Sequence, residues 1–222
     1  MIKGIIFDMD GVLINSEELY NEYGYKFFKN LVPDVDAEFL DSFRGTATRY
    51  LVKAMVENHN ITILPEDKIL KMLDEGGSLI YTQNPKLKLC NGVLDWLEYF
   101  YNNNYKVTIA SSTITDNIDV VVERFNLQKY FKSYIGGNMV KKTKPEPEIF
   151  LKAAELLGLN PEECLVIEDS TNGLKAAKAA GCKAIGYLYE GQNPQDLSLA
   201  DIVFDKFGAE KIPMLEKFIK MN

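Results

Sequence analysis

Ile5-Ile6-Phe7-Asp8-Met9-Asp10-Gly11-Val12-Leu13 sets the reading of the whole chain. A short apolar run reads as a strand, and two carboxylates one residue apart follow it, then a glycine. Side chains alternate along a strand, so Asp8 and Asp10 share a side where the strand ends. Acids that close push each other's pKa values apart unless a cation sits between them. Such a pair serves metal binding or divides acid and nucleophile duties. The plainer reading of the same residues is an acidic turn after an edge strand.

Downstream, strand-like and helix-like patterns alternate unevenly. From Ser16 to about Tyr81 the chain reads helical. Ser16-Glu17-Glu18 marks a helix start, because anions favour a first turn. Leu19, Tyr23, Phe27 and Leu31 then recur every four residues as an apolar stripe that stops before Pro33. Further helical patterns run through Phe39 and Phe43, from Tyr50 to Val56, and from Glu66 to Tyr81. After Pro85 come a helix through Leu94, Leu97 and Phe100 and a strand over Lys106–Ala110. A helix over Ile118–Phe125, a short strand at Tyr134-Ile135 and a helix over Pro147–Leu157 closed by Gly158 follow. Strands are then expected at Cys164–Glu168, Cys182–Gly186 and Asp201–Phe204, with helices at Leu174–Ala180 and from about Ala209. This alternation predicts an α/β fold: a Rossmann-like parallel sheet with helices on both faces. The helical stretch between the first two strands predicts an inserted second domain, 15–82, with the core formed by 1–14 and 83–222.

With 222 residues the chain has room for a large core plus an insert, and its 46% hydrophobic and 26% charged content is that of a globular protein. A net charge of −7 argues against nucleic acid or an anionic membrane as partner, so an anionic substrate needs a local cation or a metal. Cys90, Cys164 and Cys182 are scattered, which predicts reduced thiols rather than a disulfide framework or zinc site. With no leader-like or membrane-length apolar run, the expected location is cytoplasmic. Composition leaves the oligomeric state open.

In open parallel sheets ligands gather beyond the carboxyl ends of the strands. Those ends carry Asp8 and Asp10, then Ser111-Ser112-Thr113, then Lys144 in the loop after the third strand, then Glu168-Asp169-Ser170. Acids, hydroxyls and a lysine on one rim suit Mg²⁺ with a phosphate group, since Mg²⁺ takes carboxylate, water and phosphate oxygens. Each residue also has a plainer reading. The hydroxyls of Ser111–Thr113 could cap the following helix, Asp169-Ser170 could cap the next, and Lys141, Lys142 and Lys144 together look like a solvated loop. Pro145 sets Lys144 apart, because it holds the preceding residue extended.

Four segments, Asp8–Leu13, Ala110–Thr113, Lys144-Pro145-Glu146-Pro147-Glu148-Ile149-Phe150 and Ile167–Gly173, together resemble the haloacid dehalogenase superfamily of phosphotransferases. The likeness is to its β-phosphoglucomutase-like branch, which carries a helical cap after the first strand. The resemblance implies that Asp8 is the nucleophile and forms an aspartyl-phosphate, while Asp10 protonates the leaving oxygen and later activates water. It implies that Asp8, the main-chain carbonyl of Asp10, and Asp169 hold Mg²⁺, with Glu168 nearby or acting through water. Ser111, Ser112 and Lys144 would then bind the phosphoryl oxygens. In the cap, Arg44-Gly45 resembles a basic residue and glycine that relatives point into the site, and Arg49 follows closely. His59 reads as a helix-end histidine. Tyr20 stands where mutase relatives carry a histidine, a departure that favours hydrolysis over transfer. The expected function is Mg²⁺-dependent hydrolysis of a small phosphorylated metabolite, a sugar or polyol phosphate. The alternatives are a sugar-phosphate mutase and, more remotely, a phospho-accepting signalling module.

Overall fold

Ile5, Ile6 and Phe7 are fully buried, as a strand covered on both faces requires. The computed structural model describes residues 1–43, 46–59, 61–188 and 195–222. In it these side chains belong to β1 (Gly4–Phe7), which pairs in parallel with β2 (Lys106–Ala110) on one side. On its other side β1 pairs with β4 (Cys164–Glu168). With β3 (Tyr134–Ile135), β5 (Lys183–Tyr187) and β6 (Ile202–Phe204), they form a six-stranded parallel sheet in the order β3-β2-β1-β4-β5-β6. That is the order of doubly wound dinucleotide-binding sheets, and it reverses beside β1, where such folds open a crevice.

Alternation along the strands sorts the two faces. Ile5, Phe7, Ile109 and Ile167 face α5 (Val93–Asn102), α6 (Thr115–Arg124) and α9 (Ile212–Met221) within one apolar cluster. Ile6, Ala110 and Val166 join a second cluster with α7 (Glu148–Leu157) and α8 (Thr171–Ala180), whose alanines let those helices lie close. Each large buried side chain contributes roughly 1.5–3 kcal/mol of transfer free energy. Trp96 is fully buried, meets Phe204 and Phe207 edge-on at 4.9 Å, and donates from Nε1 to the Gly208 carbonyl at 3.2 Å.

Between β1 and α5 lie α1 (Ser16–Leu31), α2 (Ala37–Asp41), α3 (Thr48–His59) and α4 (Glu66–Gln83). They enclose an apolar cluster of their own, with Phe28, Val52, Met55, Ile69 and Leu73 at its centre. α4 packs on α1 and α3 and also reaches α6 of the sheet layer. α6 and α8 each begin three residues before the apolar periodicity does, because their first turns are polar. The last helix begins at Ile212 after a 3₁₀ turn over Ala209–Lys211, with Pro213 in its first turn. Among the described residues, no helix is long and apolar enough to cross a membrane.

Candidate active site

β1 ends at Phe7, one residue short of the acid pair, although the Asp8 amide still donates to the Ile167 carbonyl at 3.0 Å. Beyond it the backbone coils, and the Met9 carbonyl accepts from the amides of Leu13 (2.9 Å) and Ile14 (3.1 Å). Gly11 has φ +80°, a conformation that favours glycine. A Cβ there would also lie 2.2 Å from Asp169 Oδ2. The missing side chain therefore lets the Asp169 carboxylate close on the backbone beside Asp10.

Asp8, Asp10, Ser111, Ser112 and Asp169, which the sequence scatters over more than half its length, line one cleft of about 520 Å³ between the strand ends and the helices α1–α4. Lys144 lies behind this wall. Only 1% exposed, it donates from Nζ to Asp8 Oδ1 and to Glu168 Oε1, both at 2.5 Å. Glu168 has its other oxygen occupied too, by the Ser170 amide (2.8 Å) and hydroxyl (2.9 Å). Both Glu168 oxygens are thus engaged within the protein. Burial opposes the charge of Lys144, but Asp8 and Glu168 outweigh it and hold the ammonium above the ordinary lysine value. Burial pushes the Asp8 carboxyl well above the usual aspartate range; Lys144 opposes that shift, and Glu168 and Asp10 add to it.

Asp10 has different neighbours. Its Oδ1 accepts from Ser16 Oγ (2.5 Å) and Tyr81 OH (2.8 Å), and its Oδ2 from Thr113 Oγ1 (2.7 Å) and Ser111 Oγ (3.3 Å). Asp8 is thus paired with a cation, whereas Asp10 is surrounded by hydroxyls. Ser16 gives its hydroxyl to Asp10 instead of capping α1. The hydroxyls of Ser111–Thr113 do not cap α6 either: Ile114 occupies the cap position, and Asn138 Oδ1 accepts from the Thr115 amide at 3.1 Å. Ser170 does cap α8, accepting from the Gly173 amide at 3.0 Å. Gly137 passes so close to the Ser112 carbonyl that a Cβ there would lie 2.0 Å from its oxygen.

Four carboxyl groups, those of Asp8, Asp10, Glu168 and Asp169, against the one ammonium of Lys144 leave the site with an excess of acidic over basic groups. Oxygen donors with that excess fit a hard divalent cation. Among the described residues no three His, Cys, Asp or Glu side chains converge into a metal-sized cluster. The fit therefore rests on the Asp8 and Asp169 carboxylates lining the cleft, a small donor set that leaves room for water, as Mg²⁺ prefers.

In the helical block, Arg49 lines the cleft, donates to the Lys141 carbonyl at 3.3 Å, and lies over the Tyr50 ring at 5.2 Å. Arg44 and Gly45 lie outside the described residues. His59 is the last residue of α3 and meets the Phe39 ring edge-on. Tyr81, on α4, is the site residue that sequence reading misses. It sits within an apolar helical stripe, and only the fold brings its hydroxyl to Asp10.

The haloacid dehalogenase-like hydrolase family model matches residues 5–187. The chain is 32% identical to a phosphorylated carbohydrates phosphatase of Thermotoga maritima, over 83% of its own length and 84% of that protein's. It is 33% identical to a phosphoglycolate phosphatase of Salmonella typhimurium, over 93% of its length and 90% of the relative's. The crystal structure of CbbY from Rhodobacter sphaeroides in complex with phosphate superposes with a TM-score of 0.79 at 25% identity, covering 94% of this chain and 96% of that one.

Proposed function

The chain belongs to the haloacid dehalogenase-like hydrolase family, and on that premise we propose a Mg²⁺-dependent phosphatase acting on a small phosphorylated metabolite, a sugar or polyol phosphate, through an aspartyl-phosphate. The observation that carries this reading is the unequal setting of the two aspartates. Asp8 has an ammonium 2.5 Å away, which opposes the effect of burial on its carboxyl and so favours the anion that attack on phosphorus needs. Among the described residues the hydrogen-bond partners of the Asp10 carboxyl are hydroxyls, which can donate to it when it is ionised and accept from it when it is protonated, as general acid–base work requires.

In this reading Asp8 attacks the phosphoryl group, Asp10 gives its proton to the leaving oxygen, and the same carboxylate then takes a proton from the water that cleaves the aspartyl-phosphate. The Asp8 and Asp169 carboxylates and the Asp10 carbonyl would hold Mg²⁺, which when bound offsets the mutual repulsion of carboxylate and phosphate. Ser111, Ser112 and Lys144 would hold phosphoryl oxygens, and Glu168 would orient Lys144. The α1–α4 block would serve as a cap that excludes bulk water, with Arg49 facing the substrate. The relatives named as carbohydrate and phosphoglycolate phosphatases support the phosphoester class.

Phosphorus-31 NMR of the purified chain with Mg²⁺ and a panel including hexose 1- and 6-phosphates tests the proposal. Magnesium-dependent growth of the inorganic phosphate signal is expected, and Asp8→Asn should abolish it. Migration of phosphate between sugar hydroxyls without release would instead identify a mutase. Unchanged spectra across the panel would overturn the phosphatase reading.

A further inference from the structure

We propose that Tyr81 is a positioning residue for Asp10: its phenol fixes the carboxylate in the orientation from which a leaving oxygen can be protonated. The inference rests on the acid–base reading of Asp10 given above. Tyr81 OH lies 2.8 Å from Asp10 Oδ1 and 3.1 Å from Thr113 Oγ1, and Thr113 Oγ1 lies 2.7 Å from Asp10 Oδ2. The two hydroxyls therefore each donate to a different oxygen of one carboxylate and stand in contact with each other. Such a two-point grip resists rotation about the Cβ–Cγ bond, which a single hydrogen bond does not. A proton donor is effective only within hydrogen-bond reach and alignment of its target, and a 1 Å misplacement costs about 10²-fold in rate.

Tyr81 is itself held by its backbone and by its ring. Tyr81 is fully buried. Its main-chain carbonyl accepts from Arg124 Nη1 at 2.6 Å while Arg124 Nη2 donates to the Asn84 carbonyl at 2.7 Å, so α6 of the sheet layer clamps the end of α4. On its other flank the Tyr20 ring packs at 5.7 Å between centroids. Tyr20 reaches that place over Gly77, one turn before Tyr81, where a Cβ would lie 2.5 Å from the Tyr20 hydroxyl. A residue in the helical insert is thereby anchored to the sheet layer, and its hydroxyl keeps one position relative to Asp10. Tyr20, in place of the histidine of mutase relatives, is the side support of this arrangement.

The test compares wild type, Asp10→Asn and Tyr81→Phe on p-nitrophenyl phosphate, a good leaving group, and phenyl phosphate, a poor one, through kcat/KM with saturating Mg²⁺. Tyr81→Phe keeps the ring and its packing and removes only the hydroxyl; thermal unfolding checks that the fold persists. Loss of alignment should lower kcat/KM for phenyl phosphate about 10-fold and for p-nitrophenyl phosphate less than about 3-fold, since only the poorer leaving group needs the proton. Asp10→Asn should show the same discrimination more strongly. If Asp10→Asn discriminates and Tyr81→Phe does not, whether unchanged or equally slow on both esters, the positioning role of Tyr81 is wrong. If Asp10→Asn does not discriminate, or wild type hydrolyses neither ester, the acid–base reading itself fails and the role of Tyr81 with it.

Discussion

Replacing Lys144 by Met tests whether Asp8, Lys144 and Glu168 form one electrostatic unit. Lys144 Nζ lies 2.5 Å from both carboxylates, and all three side chains are at most 8% exposed. Lys144→Met removes the shared cation and leaves two buried carboxylates facing an apolar group. Breaking a buried ion pair from one side costs about 3–5 kcal/mol. At the roughly 2–4 °C per kcal/mol expected for a domain of about this size, the melting temperature falls by roughly 6–20 °C. Glu168→Gln alone also destabilises, by roughly 1–3 kcal/mol, because its amide cannot accept both from Lys144 and from the Ser170 donors. In the Lys144→Met background the sign reverses: Glu168→Gln then removes an unpaired buried charge and should restore stability. Urea unfolding at pH 7 with chelator, followed by the fluorescence of Trp96, measures all four proteins. Equal destabilisation by Glu168→Gln in both backgrounds would refute the coupling and reduce the triad to independent contacts.

Magnesium should raise the melting temperature of the wild type by ligand linkage, and Asp169→Asn should largely abolish that rise; an unchanged rise would remove Asp169 from the ligand set. Gly137→Ala should displace the Ser111–Thr113 loop, because its Cβ meets the Ser112 backbone oxygen at 2.0 Å, and should raise KM for phosphoesters about 10-fold or more, measured by steady-state kinetics. Partial burial opposes the charge of Asp201, but Lys178 and the Ala184 amide outweigh it and hold the carboxyl below the ordinary aspartate value. Its folded pKa being depressed, its contribution is present above the unfolded value near 4 and is lost as pH falls through the folded one. Asp201→Asn should therefore cost about 1 kcal/mol at neutral pH, with the gap to wild type closing below about pH 4 in denaturant titrations.

The sheet was legible because strands buried on both faces, such as Ile5–Phe7 and Cys164–Glu168, leave unbroken apolar runs with acids at their ends. The acids, Ser111 and Lys144 could be read as neighbours because the strand-end rule converts position along the chain into position in space. Helix starts were less legible: Thr115 and Thr171 open helices whose first turns have no apolar face to report. Tyr81 was illegible for a different reason. Its one-dimensional surroundings are those of a core aromatic, and its role depends on a hydroxyl whose partner is 71 positions away. The engagement of both Glu168 oxygens likewise has no signature in sequence, since it depends on where the Lys144 side chain comes to rest.

The neighbour relation of β1 and β4 also governs how the protein is made. The ribosome releases the chain from its N-terminus, so β1 emerges long before the strand that flanks it at residues Cys164–Glu168. Until then the first strand lacks a partner on one edge, and the acids at its end lack Glu168 and Asp169. An apolar strand with an open edge invites pairing with other chains. The helical block, emerging next with a hydrophobic cluster of its own, can compact locally while that edge waits. Nascent chains stalled before Cys164 should therefore depend on chaperones far more than chains stalled after Gly186, and the cleft at the strand ends is completed only once Asp169 has been made.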